Sequence, residues 1–182
     1  CVECLLNFLL RDAPRVGGDY HGQTVSHIEF ADKVRFEFAE DFAVIKDSYK
    51  GKEVSYYVEK DQAPYARGVF GQTPEMMKFF SDKLGVEYPW QKYSQIVGRD
   101  YVSGAMENTT ATLHQESAYQ NARELVDGIG WEGTIAHELF HHWFGDNVTT
   151  ESWSNITVNE SFANYSETLW NEYKYGKDAG HD

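Results

Sequence analysis

The sequence predicts an α+β domain, with a β-sheet in its N-terminal part and helices after it. Three observations carry this. Apolar and polar residues alternate in segments up to about residue 60. All four prolines fall at or before residue 89. Beyond them, apolar residues recur at helical spacing in two uninterrupted segments. The 182 residues suffice for one sizeable core.

Residues 1–24 have no clear periodicity, and Arg11 to Gly22, with Pro14, Gly17 and Gly18, reads as an irregular lead-in. Cys1 and Cys4 are the two cysteines, so a disulfide framework is excluded. From Val25 the pattern changes, and Val34, Phe36 and Phe38 alternate with Arg35 and Glu37 as in a half-buried strand. Phe42–Tyr49 and Glu53–Lys60 flank Lys50-Gly51-Lys52, a hairpin turn, with Val54, Tyr56 and Val58 on one face. Thr73-Pro74-Glu75 opens a helix, Thr73 as the capping residue, that runs to about Leu84 and stops at Gly85. Met76, Met77, Phe79, Phe80 and Leu84 form its apolar side. A short strand is expected at Tyr93–Val97. A helix over Trp131–Gly145 presents Ile135, Leu139, Phe140 and Trp143. A last helix over Thr157–Tyr173 carries Phe162, Tyr165, Leu169 and Tyr173 as a packing stripe and ends at Gly176.

The net charge is −13, which argues against nucleic acid as the main partner. The charge is uneven. Residues 1–99 hold 13 basic and 15 acidic side chains, whereas residues 100–182 hold 3 and 14. Most of this reads as a solvated face; a cavity that attracts a cation is the sharper reading. No apolar run approaches a membrane span. The sequence names no compartment.

The decisive segment is His137-Glu138-Leu139-Phe140-His141. Helical residues four apart share a face, so both imidazoles can meet one zinc ion at about 2.0–2.1 Å. Glu138 points about 100° around the helix, where a carboxylate can take a proton from a metal-bound water. Glu160, eighteen residues beyond His141 and near the start of the next helix, is the candidate third ligand. Two histidines and a glutamate suit zinc better than magnesium or calcium. His142 lies off the ligand stripe and reads as a packing group or as one that supports a neighbouring ligand, and His114 and His27 carry no spacing argument. Asn164, one turn after Glu160, is a candidate for orienting a ligand, with surface exposure the alternative.

These residues resemble the zinc signature of the aminopeptidase N family of gluzincin metallopeptidases. Gly104-Ala105-Met106-Glu107-Asn108 is similar to that family's exopeptidase motif, and Trp143-Phe144-Gly145 and Asn159-Glu160-x-Phe162-Ala163 add local agreement. The resemblance covers about Tyr93–Trp170 and, more loosely, Val25–Lys92. It implies a thermolysin-like metallopeptidase catalytic domain over residues 25–182, truncated relative to family members, which add N-terminal and C-terminal domains. It implies one zinc per chain on His137, His141 and Glu160, Glu138 as the general base, and Glu107 holding the free N-terminus of a peptide laid along an edge strand at Gly104–Asn108. Ser161 stands where the family usually has glycine. The family's oxyanion tyrosine falls downstream of this chain, and Tyr165 and the other tyrosines read as packing. The expected function is a zinc-dependent aminopeptidase. A zinc-binding but inactive fragment of such an enzyme and a zinc endopeptidase remain open beside it.

Overall fold

The structure is a computed structural model and describes residues 42–180. The strand expected at Val34–Phe38, the lead-in segment, Cys1, Cys4 and His27 lie outside the described residues.

Strands β1 (Phe42–Tyr49) and β2 (Lys52–Glu59) form the expected hairpin, in register from Phe42↔Glu59 to Tyr49↔Lys52. Lys50 and Gly51 both take positive φ, 47° and 80°. That is the two-residue turn whose twist matches a hairpin. Two helices then cross over, α1 (Ala63–Phe70) and α2 (Thr73–Leu84), and return the chain as β3 (Lys92–Gly98), parallel to β2. Strand β4 (Ala105–Met106) turns back as β5 (Ala111–Gln115), which is parallel to β3. The order is β1-β2-β3-β5-β4, so β4 lies at an edge of the sheet.

Helix α1 is not among the elements expected from the sequence. Pro64 falls in the first turn, where its missing N–H costs nothing. Helix α2 has the expected bounds and ends on Gly85 at φ 67°. Thr73 does not cap it, however. Gln72 precedes the helix, and Thr73 Oγ1 donates to the Phe70 carbonyl at 2.6 Å while accepting from Gln95 Nε2 at 2.7 Å.

The core lies between the sheet and the helices. Val54, Tyr56 and Val58 face Phe70, Met76, Met77 and Phe80, all essentially inaccessible. Each such side chain contributes roughly 1.5–3 kcal/mol on burial. Ile96, Ala111 and Leu113 form a smaller cluster, joined by Phe42, Tyr57 and Tyr101.

Helix α3 (Glu132–Phe140) is shorter than the expected Trp131–Gly145. Past Phe140 the chain tightens: His142 and Trp143 donate to carbonyls three residues back. Residues 143–148 then close into a loop in which Val148 N–H meets the Trp143 carbonyl and Gly145 N–H the Val148 carbonyl. Helix α4 (Thr157–Tyr175) packs on α3 and ends before Gly176. Its buried stripe is Asn159, Ala163, Ser166 and Trp170, not Phe162, Tyr165, Leu169 and Tyr173. The true stripe is rotated by about one residue because small side chains let α4 approach α3: Ser166 Oγ reaches the Ala136 carbonyl at 3.4 Å. Phe162, Tyr165 and Tyr173 are about half exposed, although Phe162 still touches Phe144 and Tyr173 stacks on Phe79. Tyr165 is therefore not a core packing residue. No helix among the described residues is long and apolar enough to cross a membrane.

Candidate active site

Helices α3 and α4 meet so that His137, His141 and Glu160 converge. His137 Nε2 and His141 Nε2 are 3.1 Å apart. Glu160 Oε2 is 3.5 Å from the first and 3.6 Å from the second. Ligands at about 2.0–2.1 Å from a tetrahedral ion stand about 3.3 Å from one another, so this triangle has the size of one face of a zinc tetrahedron.

The hydrogen bonds around the rings support that fit. His137 Nδ1 lies 2.9 Å from Glu167 Oε1. His141 Nδ1 lies 3.0 Å from the Phe144 carbonyl oxygen. A carbonyl or carboxylate oxygen accepts, so each ring carries its proton on Nδ1 and turns a bare Nε2 lone pair toward the other. With Nδ1 committed to the protein, each Nε2 is the nitrogen that can meet one shared cation.

Two glycines make room for these contacts. A Cβ on Gly133 would sit 3.0 Å from Glu167 Oε2. At Gly145, φ is 143° and a Cβ would fall 2.9 Å from His141 Nδ1. Sequence reasoning missed Glu167, which follows Glu160 and Asn164 on one face at i, i+4 and i+7, and that spacing was the available signal. Asn164 itself is exposed and lines the cleft.

Burial works against a charge on His137, but Glu167, Glu138 and Glu160 outweigh it and raise its pKa. Glu138 is 6% exposed, and its Oε2 has no hydrogen-bond partner. Burial pushes its carboxyl up to about 8; His137 opposes the shift, and Glu107, Glu160 and Asp146 add to it. A carboxyl that titrates near neutrality is suited to moving protons.

The triad and Glu138 open onto a cleft of about 870 Å³. Gly104, Ala105, Met106 and Glu107 line its wall, brought there by β4 at the sheet edge. Asn108, expected beside them, is not among the cleft-lining residues: its carbonyl accepts the Ala111 N–H at 2.7 Å and closes the turn into β5. Residues 149–153 also line the cleft and had no sequence signal. His142 and His114 are fully buried and packed, with both pKa values depressed by burial to about 3.

Comparison with known proteins identifies relatives of the same kind. The peptidase family M1 domain matches residues 69–181. Endoplasmic reticulum aminopeptidase 1 of Homo sapiens is 34% identical over 137 residues, 74% of this chain. Aminopeptidase N of Streptomyces lividans is 39% identical over 106 residues, 56% of this chain. Glutamyl aminopeptidase of Sus scrofa is 32% identical over 136 residues, 70% of this chain. The matched stretch is 15%, 12% and 14% of those three proteins' own lengths.

Proposed function

The chain belongs to peptidase family M1, and from that premise we infer that it is the zinc-binding part of a thermolysin-like catalytic domain that removes N-terminal residues from peptides. The observation that carries this is the convergence, in one cleft, of the His137–His141–Glu160 triangle, buried Glu138 and the edge strand that leads into Glu107.

Zinc held by His137, His141 and Glu160 supplies a Lewis acid that polarises a carbonyl and lowers the pKa of water. Glu138 accepts the proton of the attacking water and returns it to the leaving amine. Its burial keeps competing solvent away from that proton. Strand β4 offers an edge along which a peptide lies extended. Glu107 then meets the α-ammonium by a charge-assisted hydrogen bond, which an internal peptide nitrogen cannot match. The chain spans about 15% of the length of the Homo sapiens relative, so turnover is proposed for these residues together with the further length that such relatives carry.

The test compares kcat/KM for a short peptide with a free N-terminus and for its N-acetylated form. In a full-length version the free form is cleaved preferentially, and Glu107→Ala narrows the gap by about one to two orders of magnitude with zinc content unchanged. Equal cleavage of both forms would replace this reading with an endopeptidase. Glu138→Gln keeps zinc and loses roughly 10²–10⁴-fold in kcat. A near-normal rate would assign the base elsewhere.

A further inference from the structure

His142 follows a metal ligand but faces the sheet. Its ring is fully buried and clamped, with Tyr88 stacked at 5.8 Å and Tyr93 edge-on at 4.9 Å. Its Nε2 accepts the Thr110 backbone N–H at 2.9 Å. A backbone N–H can only donate, so the ring proton sits on Nδ1, which donates to the Glu138 carbonyl at 3.1 Å. One imidazole thus ties the turn after β4 to the helix segment that bears the metal ligands and Glu138.

The turn it holds is strained. The bond from Ala111 N–H to the Asn108 carbonyl makes residues 108–111 a four-residue turn with Thr110 third. Thr110 has φ 64°, a left-handed conformation in which a β-branched residue is an outlier. Such strain persists only when the surroundings over-determine it. Here His142 holds the Thr110 N–H, and Ser94 N–H holds its carbonyl at 2.8 Å. Glu107 stands between the end of β4 and the start of this turn. Its placement relative to Glu138 therefore depends on the bond that His142 makes.

We propose that His142 is a positioning residue that fixes the distance between Glu107 and the metal-binding helix, and so sets cleavage one residue from the N-terminus. This rests on the aminopeptidase reading above. A residue that only filled space would leave amine recognition untouched when replaced by an apolar side chain.

The experiment titrates the zinc-loaded full chain with leucine hydroxamate and with N-acetyl-leucine hydroxamate by calorimetry. The hydroxamate group of each binds the metal, and only the first presents an ammonium to Glu107. The unmodified chain prefers the free amine by at least roughly tenfold. His142→Leu reduces that preference by about tenfold, while zinc stoichiometry and affinity for the acetylated compound hold. His142→Gln, which offers one acceptor and one donor, retains the preference. If His142→Leu does not fold, His142→Phe takes its place, keeping an aromatic ring against Tyr88 and Tyr93 while offering no acceptor to the Thr110 N–H, and is read in the same way. An unchanged preference, or equal loss of both compounds, overturns the proposal and leaves the aminopeptidase reading standing. No preference in the unmodified chain overturns both.

Discussion

Two pairs of histidines in this molecule have opposite chemistry. On the cleft side of α3, His137 and His141 each spend one nitrogen on the protein, Nδ1 to Glu167 and Nδ1 to the Phe144 carbonyl. Toward the sheet, His142 and His114 spend both. His142 bonds Thr110 and Glu138, and His114 accepts from Trp131 Nε1 at 3.1 Å and donates to Gln95 at 3.0 Å. The difference teaches that residue type does not make an imidazole a ligand. A single protein partner leaves a directed lone pair; two partners leave a neutral packing ring.

The most severe way to break the comparison is to remove a ligand. His141→Ala should take zinc from one per chain to near none in metal analysis after gel filtration, whereas His114→Gln should leave it at one. If both variants lose zinc alike, the distinction between the pairs is wrong.

A smaller effect is expected one contact away. Glu167→Ala leaves His137 unanchored and should weaken zinc binding by about 10–100-fold in competition with a chromophoric chelator. Unchanged affinity would show that the ring needs no orienting partner. Affinity should also fall with acid, because His137 must be deprotonated to bind and its pKa lies above the usual 6.5.

The last test sharpens the comparison through stability of the metal-free chain. His114 and His142 have folded pKa values near 3 against 6.5 unfolded. Their contribution is fully present above about 6.5 and is lost as pH falls toward 3, by at most about 1.4 kcal/mol per pH unit per ring. Glu138 and Asp146 have the opposite sign. Burial raises both to about 8, so their contribution is present at low pH and is lost as pH rises through about 8. Urea midpoints should be nearly flat between about pH 4.5 and 6.5 and should drop on both sides. A midpoint that climbs steadily to pH 8 would contradict the assigned burial of the two acids.

Much of this was legible because the informative residues act locally. The hairpin turn needs only Lys50-Gly51, and the ligand pair needs only one helical turn. The losses came where tertiary contact overrode local pattern. Leu139, Phe140 and Trp143 continue a helical spacing, yet the helix stops at Phe140 because Phe144 and Gly145 must fold under the His141 ring. The aromatic residues of α4 outweigh Ala163 and Ser166 in any hydrophobic count, yet small size decides which face meets α3. Glu167 went unread because its partner lies thirty residues back in the chain.

Strand β4 is two residues long. An open strand edge is the feature through which one folded chain can recruit another into an extended sheet. With Ala105 and Met106 alone in ladder geometry, and a tight turn directly after them, such pairing has no room to propagate. The same brevity that limits a peptide to a short contact also guards the exposed edge against fibre-like self-association, without a charged or proline gatekeeper in the strand.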